Sequence, residues 1–224
     1  MIYRLLDDIP FFIVPKEVEP DGLIAIGGHI TVDWLKEAYA QGIFPWFDFR
    51  NADMPYWYCP AERFVIFPSE IHVSHSMRTL MNKGRYSCTI NKDFRGVIEN
   101  CSRLRIDHEG AWLGPEMIAA YCELHELGMA MSVEVWDGEE LVGGLYGVVS
   151  GKAFCGESMF SLCPNASKLA LIALARTLDK MHPGDTVIDC QFRTDHLASM
   201  GGRFIPYDEF RPYLACGLEE GNVD

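Results

Sequence analysis

Residues 132–160, SVEVWDGEELVGGLYGVVSGKAFCGESMF, are three apolar runs divided by Asp137-Gly138 and Ser150-Gly151. Both dipeptides are turn signals, and the Gly in each supplies the backbone freedom a tight reversal needs. The stretch therefore predicts an antiparallel meander of three strands. What precedes it is mostly helical. RFVIFP (63–68) reads as a strand, Asp93 to Cys101 as a helix, and Met117, Tyr121 and Leu124 mark a helix over about 114–127 that Gly128 ends. After the meander, Asn165 is placed to cap KLALIALARTLDKM. TVIDCQ (186–191) is a short buried strand, and a last helix follows at about 194–200. This order predicts an α+β fold, a mixed and largely antiparallel sheet flanked by helices.

The N-terminal part has a different texture. Thr31 is a plausible N-cap, with Val32, Leu35 and Tyr39 at helical spacing and Gly42 just past the end. Phe44 to Pro60 is rich in proline and aromatic rings. So many exposed rings would aggregate, which predicts an ordered segment packed on the rest.

Composition excludes several classes. A chain of 224 residues, 49% hydrophobic and 12% aromatic, can bury a core and is not disordered. No apolar run reaches the roughly 18 residues a membrane span needs, and early Asp7 and Asp8 argue against a signal peptide. Eight cysteines without a CxxC pair read as reduced thiols in a reducing compartment, with Cys88, Cys122, Cys155 and Cys190 expected in apolar surroundings. The His72/His75 pair alone does not make a metal site. The net charge of -13 argues against nucleic acid at long range. Between Arg63 and Arg105, however, eight Lys/Arg face three acids, a local +5 that could take phosphate or simply form a solvated face.

Three spots could carry chemistry. In a strand, Asp189 and Gln191 project to one side and Cys190 to the other, so a carboxylate and an amide could orient each other, with Cys190 in the core. Glu157, inside an apolar run, is either a structural carboxylate or an acid that grips a ligand's ammonium or hydroxyls. Trp46, Trp57 and Trp112 could stack on rings or fill the core. Gly143, Gly144 and Gly147 lack dinucleotide spacing and no Walker-type lysine follows, which argues against ATP use. CPNASK (163–168) has no glycine, which argues against a coenzyme A pyrophosphate loop.

Several strings together resemble the bacterial leucyl/phenylalanyl-tRNA–protein transferases: EPDGLIAIGG (19–28), AYAQGIFPWF (38–47), YWYCP (56–60), AYCELHELG (120–128), LVGGLYGV (141–148), FCGESMFS (154–161), NASKLAL (165–171) and IDCQ (188–191). The resemblance implies a small N-terminal domain (1–62) and an acetyltransferase-like catalytic domain (63–224), without cofactor or metal. It implies transfer of Leu or Phe, less well Met, from aminoacyl-tRNA to proteins with N-terminal Arg or Lys, marking them for degradation. A cytoplasmic monomer that does not engage the membrane is expected. By motif, Asp189, Gln191 and Glu157 would be catalytic. Trp46 and Trp112 would hold the terminal adenosine near Tyr121, and Met159 and Phe160 would line the side-chain pocket. Arg78, Lys83 and Arg85, within the basic stretch, are the candidates for tRNA. The sequence departs from the family's usual pattern at His29-Ile30, at Ala61-Glu62, at Ala111 and at Met131.

Overall fold

The computed structural model describes residues 2–6, 9–14, 19, 21–106 and 113–215. The chain begins with β1 (Tyr3–Leu5), β2 (Leu23–Gly27), α1 (Val32–Ala40), β3 (Phe44–Pro45) and β4 (Tyr56–Tyr58). These strands form a four-stranded sheet in the order β1-β2-β4-β3. Its centre is the fully buried Trp57, whose indole N–H donates to the Gly27 carbonyl at 2.9 Å while Phe12 meets its ring edge-on. The aromatic segment is packed as its composition predicts, with Phe44, Trp57 and Tyr58 buried.

Gly28 shows how tightly this unit closes. It sits at φ +70°, and a Cβ there would lie 2.5 Å from the Trp34 ring. Gly28→Ala combines a left-handed backbone with overpacking, and is expected to lower the unfolding free energy by about 2–3 kcal/mol, read from the urea midpoint.

The remaining elements are β5 (Glu62–Ile66), α2 (His75–Asn82), β6 (Tyr86–Ile90), α3 (Phe94–Ile106), α4 (Pro115–Glu126), β7 (Ala130–Asp137), β8 (Glu140–Ser150), β9 (Ala153–Ser161), α5 (Ala166–Met181), β10 (Val187–Asp189), α6 (Asp195–Ser199), β11 (Arg203–Pro206) and α7 (Tyr207–Phe210). The second sheet runs β11-β5-β10-β9-β8-β7-β6, and β7-β8-β9 is the antiparallel meander. Its pairs are antiparallel except β9 with β10, which run parallel. Helix α5 lays Leu171, Ile172 and Ala175 against one face with Val133 and Leu145. On the other face, Tyr146, Val148 and Phe160 share a core with α3, α4 and the N-terminal unit.

Three local expectations change. Helix α3 runs five residues past Cys101, to Ile106. Cys88 is exposed, on edge strand β6, rather than buried. Asn165 stands at the start of α5 with φ +69°, and no side-chain capping bond is made.

Candidate active site

The parallel pairing of β9 with β10 is short, running only from Ala153 opposite Val187 to Cys155 opposite Asp189. Strand β10 stops there while β9 continues to Ser161. The gap where they part holds a cavity of about 280 Å³. Its walls are apolar, with Phe154, Met159, Leu171, Leu174, Ile188 and Leu197, and Trp46 and Phe192 stand at its rim. Its polar lining includes Ser158, Thr194 and His196 as well as Glu157 and Gln191, and the last two hydrogen-bond to each other.

Glu157 reaches this position through a β-bulge. Tyr146 pairs with Ser158 and Gly147 with Gly156, so Glu157 has no partner on β8. Bulges re-aim side chains in this way. Its carboxylate is 9% exposed and accepts from the Tyr121 hydroxyl at 3.1 Å and from Gln191 Nε2 at 2.9 Å. The Tyr39 and Tyr121 hydroxyls are 2.6 Å apart. Burial pushes the Glu157 carboxyl up to about 7, with the Asp189 charge adding to the rise and hydrogen bonds from Tyr39, Tyr121 and Gln191 opposing it. Burial and the nearby Glu157 charge push both phenols well above their usual range.

Asp189 sits behind this layer and is fully buried. Arg63 of β5, itself 1% exposed, donates through Nε to Asp189 Oδ1 and through a second nitrogen to Oδ2. The Gln191 backbone N–H also donates to Asp189 Oδ1, at 2.9 Å. Gln191 has φ +62°, so the strand alternation that would put Asp189 and Gln191 on one side ends at Asp189. The two residues are coupled, but through a backbone N–H. The Gln191 amide side chain turns to Glu157 instead.

Other candidates separate similarly. Met159 lines the cavity, whereas Phe160, its neighbour on the strand, faces the opposite core and leaves the pocket, as alternation requires. Tyr121 is fully buried and touches Glu157 rather than open space. Trp46 is 47% exposed at the rim, while Trp112 lies outside the described residues. Burial pushes the Cys190 thiol far up, as suits a wall residue rather than a nucleophile. Arg78 and Lys83 are exposed on and just after α2, and Arg85 pairs with Asp137. Among the described residues, no group of three His, Cys, Asp or Glu converges as a metal site would require, and no helix is long and apolar enough to cross a membrane.

Residues 65–215 match the family described as leucyl/phenylalanyl-tRNA protein transferase, and residues 28–61 match that family's N-terminal domain. The chain belongs to the leucyl/phenylalanyl-tRNA–protein transferase family. Curated relatives with that name include one from Nitrosomonas eutropha, 46% identical over 96% of this chain and 90% of its own. One from Flavobacterium psychrophilum is 50% identical over 89% of this chain and 93% of its own. A third, from Pseudomonas fluorescens, is 47% identical over 91% and 88%. With the family comes its activity, aminoacyl transfer from tRNA to protein.

The arrangement is a largely apolar chamber with the hydrogen-bonded Glu157–Gln191 pair in its wall. Tyr39 and Arg63 are members of this network that motif spacing does not single out. The one available signal was Arg63 itself, a charge at the head of the apolar run RFVIF, which needs a buried partner.

Proposed function

We propose that this chain transfers Leu or Phe, and less readily Met, from aminoacyl-tRNA to the α-amine of proteins that begin with Arg or Lys. It works as a cytoplasmic monomer, and its product is marked for degradation. The observation that carries this reading is the apolar cavity closed on one side by the Glu157–Gln191 pair. A chamber lined by Phe154, Met159, Leu171 and Leu174 favours branched, aromatic or thioether side chains and rejects charged ones.

The acyl group arrives as an ester, so no nucleotide is spent. The acceptor nitrogen attacks the ester carbonyl, the C–N bond forms, and the bond to the ribose oxygen breaks. The nitrogen's proton leaves for that oxygen, directly or through a neighbouring group. Because Gln191 Nε2 is occupied by Glu157, its side-chain oxygen remains to accept from the incoming amine and orient it. Glu157, near neutrality, holds the donor's amino group or takes the proton in transit. Asp189 acts behind Gln191. Trp46 at the rim takes the terminal adenosine, with Trp112 as its expected partner. Arg78, Lys83 and Arg85 receive phosphates of the tRNA.

The test is transfer of labelled Leu or Phe from charged tRNA to an Arg-initiated peptide, without ATP or acetyl-CoA. Product is expected only with the tRNA ester and a free N-terminus. An N-acetylated peptide or free amino acid should give none. Folded protein that yields no product with either donor would overturn the reading.

A further inference from the structure

We propose that Arg63 is a positioning residue for the transfer reaction, setting the reactive amide of Gln191 through Asp189 and the cavity rim through Gly42. The inference rests on the assignment of the reaction centre to Gln191 and Glu157 and names what holds that centre in place.

Arg63 and Asp189 form a pair that stability alone does not explain. A guanidinium and a carboxylate, 1% and 0% exposed and 126 residues apart in sequence, meet in the interior. Well-packed apolar side chains of similar volume would serve folding as well or better, because desolvating two charges offsets most of their attraction. What apolar residues could not do is direct hydrogen bonds. Asp189 Oδ1 accepts from Arg63 Nε at 3.3 Å and from the Gln191 N–H at 2.9 Å. The second bond holds Gln191 at φ +62°, a conformation a residue with a Cβ adopts only with support. That turn takes the chain out of the strand and carries the Gln191 amide across the gap to Glu157 on β9.

The guanidinium's third contact goes the other way. Arg63 donates to the Gly42 carbonyl at 2.5 Å. Gly42 is left-handed, φ +70°, and leads into Phe44, Pro45 and Trp46, which line the cavity. The Phe44 and Phe210 rings both lie near the guanidinium, with centroids 5.2 and 4.9 Å from its central carbon. One side chain thus ties the amide and the rim to a common point. Lysine, a single ammonium, cannot bridge both carboxylate oxygens and the carbonyl in this geometry.

The test measures kcat and KM for aminoacyl-tRNA in Arg63→Met, Arg63→Lys, Gln191→Ala and the Arg63→Met/Gln191→Ala double variant, on protein verified as folded. Arg63→Met should lower kcat about 100-fold, as a misplacement near 1 Å can do, with a smaller rise in KM from the loosened rim. Arg63→Lys should fall between it and the parent. The double variant should lose far less than the product of the two single losses, because the part of Arg63 that acts through Gln191 is already gone. Should Arg63→Met not fold, Arg63→Lys and its combination with Gln191→Ala give the same comparison. If Gln191→Ala is slow while the Arg63 variants keep full kcat, or if the losses multiply in the double variant, the positioning role is wrong. Full turnover in Gln191→Ala would instead remove the site assignment, and this inference with it.

Discussion

Truncating Asp189 to alanine is expected to lower the unfolding free energy by about 3–5 kcal/mol, the usual result of stranding one partner of a buried ion pair. The stranded group is Arg63, which keeps its bond to the Gly42 carbonyl but loses both carboxylate contacts. Transfer by the fraction that remains folded should fall about 100-fold or more, because the Gln191 N–H loses its acceptor as well. Asp189→Asn separates the two effects. It keeps the side chain's shape and leaves one oxygen for Gln191, but turns an amide N–H toward the guanidinium. It should fold better than the alanine variant and still be slow. Urea denaturation with kcat corrected for folded fraction reads both. A D189A protein of normal stability would contradict the ion pair, and one with normal turnover would remove Asp189 from the reaction.

The second large effect is on pH dependence. The Glu157 carboxyl stands at about 7, against 4.5 for an unperturbed glutamate. Between those values the folded protein holds a proton that the unfolded chain has released. Stability from this proton is fully present below about pH 4.5 and is lost as pH rises through 7, a total of about 3 kcal/mol. Glu157→Gln has no such proton to lose. The difference in unfolding free energy between E157Q and the parent should therefore move by about 3 kcal/mol in favour of E157Q between pH 4.5 and pH 8. The proposed mechanism favours the opposite charge state. At saturating donor, the parent's rate should rise with pH through about 7, and E157Q should lack that limb while keeping the one set by the acceptor amine at roughly 7.7–8.0. Identical profiles would mean that the carboxylate is not required ionised.

The meander, the helices on either side and the buried strand at IDCQ were legible because periodicity and Gly-containing turns are local signals. So was the presence of polar groups in apolar runs at Glu157 and Asp189. Their partners were not legible. Arg63 and Asp189 lie 126 positions apart, Tyr39 and Tyr121 lie 82 apart, and no local pattern records such meetings. The Asp189–Gln191 geometry was missed for another reason. Alternation applies only while the strand lasts, and a left-handed residue at Gln191 ends it. The motif places Met159 and Phe160 together, but neighbours on a strand point apart. The exposed Cys88 shows that an apolar run at a sheet edge need not be covered.

The bulge in β9 sets Glu157 apart from the residues that pack the strand. Count the strand without residue 157, and its two faces alternate in unbroken order: Phe154 and Met159 toward α5, Cys155 and Phe160 toward the opposite core. Glu157 is the one position the ladder does not use. The carboxylate of the proposed site is thus carried on a residue added to a strand already complete in its packing.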